Sequence, residues 1–115
     1  LELPATLAAG LAEKGMEIIE HDNIKDVIDT VDVLYVTRIQ RERFPDSASY
    51  FNVASSYRIT PELLTGAKKR LIVLHPLPRV DEIDPRVDDS PHARYFEQSK
   101  NGVPVRMAML MQVLQ

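Results

Sequence analysis

The feature that constrains this chain most is an apolar run from Leu71 to Leu74 that ends abruptly in the turn His75-Pro76-Leu77-Pro78-Arg79. Continuous apolar runs of this length are typical of a parallel strand that is covered on both faces. Proline cannot donate to a strand ladder, so Pro76 and Pro78 end the strand. In open α/β sheets, ligands bind beyond the carboxyl ends of the strands. The turn therefore lies where a binding site is expected.

Helical and strand patterns alternate along the chain, and this alternation predicts parallel strands joined by helices. The fold class expected is α/β, with a parallel sheet flanked by helices in a Rossmann-like three-layer arrangement. Because the order begins with a helix, we expect the sheet to lack a first strand that belongs before it. The predicted strands are Met16 to Glu20, Val33 to Val36 and Leu71 to Leu74, the last two of them buried. The predicted helices begin near Pro4, Asn23, Tyr50, Pro61, Pro91 and Val105, and the fifth of them ends near Asn101-Gly102.

Composition excludes several classes of function. The chain has 115 residues, a net charge of -3 and no cysteine, so a disulfide framework, a thiolate metal site and a strongly basic nucleic-acid surface are all excluded. No apolar run approaches the ~20 residues of a membrane span. Neither His21 nor His92 has neighbours at metal-ligand spacing, so we predict no metal site. These features predict a cytoplasmic protein that contacts neither membrane nor nucleic acid.

The last predicted helix is apolar on nearly every side, from Val105 to Leu114. A helix of this kind is normally buried all round. One interpretation is that another domain or another subunit covers it. The other is that it lies across an incompletely filled core, and the sequence favours neither.

Arg38 and Gln40 leave the end of the predicted strand Val33 to Val36 on alternate positions, so an extended backbone points both to one side. The planar guanidinium of Arg38 matches a carboxylate, and Glu42 is near enough to hold it in place. An arginine at a strand end is also a common surface ion-pair partner. Because Arg38 occurs together with the His75 to Arg79 turn at a second strand end, we favour a carboxylate site.

His75 has two interpretations, as a proton-transfer group or as a residue that orders the turn through hydrogen bonds, and the second is the more common. Asp81 and Glu82 follow closely. We expect them to pair with arginines such as Arg38 or Arg79. The residues alone thus predict a small α/β domain with a basic, proline-shaped cleft that suits a carboxylate ligand.

Four stretches of the chain resemble aspartate carbamoyltransferases. The segment Val33 to Arg43 resembles the one that enters the aspartate site of that family, and Leu74 to Ile83 resembles its proline-rich loop. Two further stretches, Pro91 to Phe96 and Asn101 to Leu114, resemble the C-terminal region. Ornithine enzymes of related type typically carry cysteine where Pro76 stands.

The resemblance implies transfer of the carbamoyl group of carbamoyl phosphate to L-aspartate, an early step of pyrimidine synthesis that needs no cofactor. It implies that Arg38 and Gln40 hold the aspartate and that the carbonyls of Leu77 and Pro78 contact the reacting groups, with a cis bond before Pro78. The family forms trimers, sometimes with regulatory chains. The resemblance also assigns Glu42 and Glu82 to the support of Arg38 and of domain closure, and Tyr50 to a loop that moves on substrate binding.

The sequence also departs from the family. Its Ser-Thr-Arg-Thr carbamoyl phosphate motif and the histidine that polarises the carbamoyl carbonyl are both absent. We therefore expect residues 1–102 to be part of an aspartate-binding domain, with residues 103–115 packing on a carbamoyl phosphate domain outside this sequence, and the chain alone to be inactive. The alternatives are a non-catalytic assembly domain of a multifunctional pyrimidine protein and a transcarbamoylase for another amino acid such as ornithine.

Overall fold

The computed structural model describes residues 3–114. Its strands are β1 (Val33–Tyr35) and β2 (Ile72–Leu74), and its α-helices are α1 (Ala5–Ala12), α2 (Ser47–Ser56), α3 (Pro61–Leu64) and α4 (Tyr95–Val113). Short 3₁₀ turns occur at Ile24–Asp26, Arg41–Arg43 and Pro85–Val87.

The two strands pair in parallel, with Val33 opposite Ile72 and Tyr35 opposite Leu74. Because a parallel pair needs a crossover, the chain between them carries α2 and α3. On the other edge of β2, Val73 bonds to the segment before α4, since its N–H donates to the carbonyl of His92 at 2.8 Å and its carbonyl accepts from Arg94 at 3.0 Å. This parallel sheet with flanking helices confirms the predicted α/β class.

The core lies where β2 meets the loops that surround it. Val73, Val87 and Tyr95 are fully buried, and Ile59, Leu71 and Ile83 are 1% exposed. The prediction of an interior strand is therefore right for β2. It is wrong for one face of β1, where Val33 and Tyr35 are 51% and 54% exposed, because no described element covers them.

Two other expectations for secondary structure are wrong. Met16 to Glu20 is not a strand: it has no ladder partner among the described residues, and Ile19 is 65% exposed. The segment Ile24 to Val31 forms a 3₁₀ turn and further turns instead of a regular helix. Its apolar stripe nevertheless packs on the core through Ile28, which is 5% exposed.

Helix α4 is continuous from Tyr95 to Val113, so the predicted break at Asn101-Gly102 does not exist. Gly102 and Pro104 both lie inside the helix. Pro104 has no N–H to donate to the carbonyl four residues earlier, so the helix continues across one missing backbone hydrogen bond. Within residues 3–114, no helix combines the length and the apolar character that crossing a bilayer requires.

Candidate functional site

The parallel pairing brings two segments together at one edge of the sheet. The N–H of Val36 donates to the carbonyl of Leu74 at 2.9 Å, so the chain leaves both strands at neighbouring points. A cleft of about 1160 Å³ opens beside them. Its lining includes Arg38 and Gln40 from the segment after β1 and Glu82 from the segment after β2. This is the edge at which α/β sheets bind ligands.

The segment after β1, residues 36–44, is called the β1 arm. Arg38 lies on it with 51% of its side chain exposed, and its Nη2 donates to Oε1 of Glu42 at 2.9 Å. The 3₁₀ turn Arg41–Arg43 makes this contact possible, because it turns Glu42 back toward Arg38. A guanidinium has five N–H donors, so one bond to Glu42 leaves donors for a carboxylate ligand.

Tyr50 packs behind the β1 arm and does not line the cleft. Its ring meets that of Phe44 edge-on at 5.8 Å between centroids, and the guanidinium of Arg41 lies 6.0 Å from its centre. Helix α2 contributes other side chains to the cleft wall, which sequence reasoning did not single out: Asn52, Val53 and Ser56.

The segment after β2, residues 75–82, is called the β2 arm. His75 is only 1% exposed, and its Nε2 lies 2.8 Å from Oε1 of Glu82. Its Nδ1 accepts the N–H of Leu77 at 2.9 Å. Leu77 has a φ of 47°, and the bond between it and Pro78 is cis, as the resemblance implied. In the sequence, Leu77 and Pro78 lie a few residues before Glu82, which lines the cleft. Neither Leu77 nor Pro78 is itself part of the cleft wall.

Glu82 is 7% exposed, and its Oε2 accepts the N–H groups of Val80 and Asp81 at 3.1 and 3.0 Å. Burial acts to raise the pKa of Glu82, but the backbone N–H groups and His75 outweigh it and hold the pKa below its usual value. Glu82 contacts neither Arg38 nor Arg79, so the expected ion pair is wrong. The loop instead closes on itself through His75.

Arg79 finds its carboxylate partner in Asp88. Two nitrogens of the guanidinium face the two oxygens of Asp88, with Nη2 to Oδ2 at 2.6 Å, and Nη1 also lies 3.2 Å from the hydroxyl of Tyr95. The Arg79 hydrogen bond keeps the pKa of Asp88 below its usual value. Burial, reinforced by Asp88, raises the pKa of Tyr95 to about 12. This cluster fixes the β2 arm to the start of α4.

Gln98 is a residue that sequence reasoning missed. Its Oε1 accepts the N–H of His75 at 3.0 Å, and its Nε2 donates to the hydroxyl of Tyr35 at 3.2 Å. It thus ties α4 to the ends of both strands. The available signal was its position three residues after the buried Tyr95, which places an amide on the inward face of the helix.

The charge of the cleft is mixed. Arg38 and Arg43 line it, but so do three carboxylates, Glu20, Asp22 and Glu82. The expected basic cleft is therefore basic on the β1 arm alone. Within residues 3–114, no three His, Asp or Glu side chains come together as a potential metal site.

Comparison with known proteins gives one consistent result. Residues 4–113 match the family model for the aspartate/ornithine-binding domain of aspartate/ornithine carbamoyltransferases. The aspartate carbamoyltransferase catalytic subunit of Methanosphaerula palustris is 74% identical over 114 residues, which are 99% of this chain and 38% of that protein. The chain thus spans a little over a third of the length of this relative.

Solved structures agree. The catalytic subunit of M. jannaschii aspartate transcarbamoylase superposes with a TM-score of 0.89 at 50% identity, over 97% of this chain and 37% of that one. The Trypanosoma cruzi aspartate transcarbamoylase, in complex with carbamoyl phosphate and aspartate, gives a TM-score of 0.78 at 36% identity, over 91% of this chain and 32% of that one.

Proposed function

This chain belongs to the aspartate/ornithine carbamoyltransferase family, within its aspartate/ornithine-binding domain, and from this premise we propose that it is the L-aspartate-binding part of an aspartate carbamoyltransferase. The observation that carries the proposal is the cleft at the strand ends, which is lined by Arg38 and Gln40 from the β1 arm and by Glu82 from the arm that also carries the cis bond between Leu77 and Pro78. The relatives named above support aspartate as the substrate.

Arg38 is the proposed carboxylate clamp. Its guanidinium is half exposed, is already oriented by Glu42 and borders the cleft. A planar fork of donors holds a carboxylate in a defined orientation. Gln40, half-buried on the same wall, offers an amide donor and an acceptor to the rest of the amino acid.

The β2 arm is the proposed site of the reacting amine. Carbonyl oxygens accept hydrogen bonds, so those of Leu77 and Pro78 suit the N–H groups of a neutral amine. That amine attacks the carbamoyl carbon, the bond from this carbon to the phosphate oxygen breaks, and the departing phosphate takes up the proton that the amine loses. Holding two reactants in a reactive geometry lowers the barrier by up to about 7–11 kcal/mol. Carbamoyl phosphate itself is proposed to bind to a domain outside this sequence.

The second half of α4 supports that arrangement. Between Val103 and Leu114 its large apolar side chains are each more than half exposed, so the interpretation of a helix lying across its own core fails. We propose that residues 103–115 pack on the carbamoyl phosphate domain and that residues 1–102 form the aspartate-binding unit. A trimer, with or without regulatory chains, a cytoplasmic location and a role in pyrimidine synthesis are proposed on the family resemblance.

The test uses a complete subunit, in which this sequence replaces the matching segment of the Methanosphaerula palustris relative. Carbamoylation is measured with aspartate and with ornithine offered separately, and the unmodified relative is the control. We expect turnover of aspartate only, and no turnover by the 115-residue chain alone. Turnover of ornithine would mean that Glu20 and Asp22 in the cleft wall bind the side-chain amine of ornithine. Turnover of neither by a folded complete subunit would favour an assembly domain.

A further inference from the structure

His75 is buried beside the proposed amine site, yet it has no free ring nitrogen for a substrate. Nε2 faces Glu82 and Nδ1 faces the N–H of Leu77, while the residue is 1% exposed. Proton transfer to a substrate therefore has no path. We infer that His75 is a positioning residue that sets the backbone of Leu77 and Pro78 for the substrate amine, an inference that rests on the proposed function.

The tautomer of His75 follows from its partners. A backbone N–H can only donate, so Nδ1, which faces the N–H of Leu77, carries no proton. The proton of the neutral ring is then on Nε2 and is donated to Glu82. Glu82 fixes this choice, because its low pKa keeps it ionised and able only to accept.

The hydrogen bonds form a continuous path across the turn. It runs from the N–H of Leu77 to His75, from His75 to Glu82, and from Glu82 to the N–H groups of Val80 and Asp81. The carbonyls of Leu77 and Pro78 lie in the chain between the two ends of this path. Anchors on both sides hold these carbonyls in one orientation, as a preorganised site requires.

The two ring nitrogens have separable effects. The link from Nε2 serves a carboxylate that is almost fully buried, so its loss leaves an ionised group short of a donor and lowers stability. The link to Nδ1 serves Leu77, which is half-buried between the exposed Pro76 and Pro78. That link serves a neutral backbone N–H and not a buried charge, so its loss loosens the turn with a smaller effect on stability.

Two amide substitutions separate the links. In His75→Gln the side-chain amide reaches the position of Nε2 and can donate to Glu82, but the acceptor for Leu77 is lost. In His75→Asn the amide oxygen takes the position of Nδ1 and accepts from Leu77, but the donor to Glu82 is lost. Glu82→Gln is a third variant, because one of its two acceptor oxygens becomes an amide N–H, which faces either Nε2 of His75 or the N–H groups of Val80 and Asp81. In either orientation the path of hydrogen bonds is broken.

The experiment measures kcat, KM for aspartate and the melting temperature of the complete subunit for each variant. We expect His75→Gln to lower kcat/KM for aspartate about tenfold, the effect of one lost hydrogen bond, with little change in melting temperature. His75→Asn should give the opposite pattern, with kcat/KM within about threefold and a clearly lower melting temperature. Glu82→Gln should lower both.

Losses of activity that simply follow the losses of melting temperature would overturn the inference, because a purely structural histidine predicts that pattern. Equal kinetics for His75→Gln and wild type would overturn it as well. Absence of aspartate turnover in the wild-type complete subunit is a different result, since it contradicts the proposed function itself.

Discussion

The two arms of the cleft differ in how firmly the fold holds them. On the β2 arm, His75 and Glu82 are 1% and 7% exposed, and they hydrogen-bond to each other and to the backbone. On the β1 arm, Arg38 and Glu42 are 51% and 58% exposed, and a single contact of 2.9 Å joins them. Both arms place a carboxylate against a basic side chain, but only one of these pairs is part of the folded interior.

This difference indicates that the two arms have different roles. A buried hydrogen-bonded pair fixes backbone groups before a ligand arrives, whereas an exposed pair leaves its arginine able to exchange one carboxylate for another. Under the proposed function, the β2 arm supplies fixed acceptors, and the β1 arm supplies the cation for the substrate carboxylate. Gln98 and Arg79 extend the fixed arm into α4, since Gln98 binds the backbone of His75 and Arg79 lies against Tyr95.

The largest expected effect on stability comes from removing the carboxylate of the β2 arm, and the matched removal on the β1 arm serves as its control. Glu82→Ala leaves the buried His75 and two backbone N–H groups without their acceptor, so we expect a loss of about 3 kcal/mol in the free energy of unfolding. Glu42→Ala, the matched control on the β1 arm, should change it by less than about 0.5 kcal/mol. Urea unfolding of both variants checks this, and equal losses would erase the contrast between the arms.

A smaller effect is expected where the fixed arm meets α4. Tyr95→Phe removes the hydroxyl that joins Asp88 and Arg79, and we expect a loss of about 1.5 kcal/mol because a charged partner loses its hydrogen bond. The control is Tyr57→Phe, whose hydroxyl makes one exposed contact of 3.4 Å with the carbonyl of Asp22. A Tyr95→Phe variant as stable as that control would show that the cluster does not hold the arm.

Acid should destabilise the segment that follows the β2 arm, through protonation of Asp84. The side-chain hydrogen bond from Arg86 lowers the pKa of Asp84 to about 2. The backbone N–H of Asp84 donates to the carbonyl of Ile59, which joins this segment to the core. A lowered pKa means that the stabilisation is complete above about pH 4 and is lost as the pH falls toward 2. Unfolding measured between pH 5 and pH 2 should therefore show a smaller acid loss for Asp84→Asn. An identical acid profile would contradict the assignment.

The smallest expected effect on stability is that of the proposed clamp itself. Arg38→Ala removes one exposed ion pair, so the midpoint of urea unfolding should shift by less than the equivalent of about 0.5 kcal/mol. A large shift would mean that Arg38 supports the fold of the β1 arm, which is not the behaviour of a side chain held ready for a ligand.

The sequence was informative where local chemistry decides the structure. The proline turn after Leu74, the apolar β2 strand and the position of Arg38 and Gln40 at a strand end all follow from residue type and spacing. It was misleading where long-range contacts decide. Glu82 is bound by His75 rather than by an arginine, because the loop between them folds back.

Other errors have the same cause. Met16 to Glu20 has the composition of a strand but no described neighbour to pair with, and propensity alone does not form a ladder. Gly102 signals a helix end by local rules, yet α4 continues through it. Helical spacing places Gln98 on the same face as Tyr95, but its partners Tyr35 and His75 are identified only once the fold brings them beside it.

The most direct measurement is the dependence of carbamoyl-aspartate formation on aspartate concentration in the complete subunit, for Arg38→Ala and Arg70→Ala. Both arginines form exposed pairs of 2.9 Å with a carboxylate, but Arg70 pairs with Asp32 at the opposite end of the strands. We predict that Arg38→Ala lowers kcat/KM for aspartate about 100-fold, as expected for loss of a charged two-point contact, while Arg70→Ala stays near wild type. Equal effects of the two substitutions would contradict a carboxylate site at the strand ends.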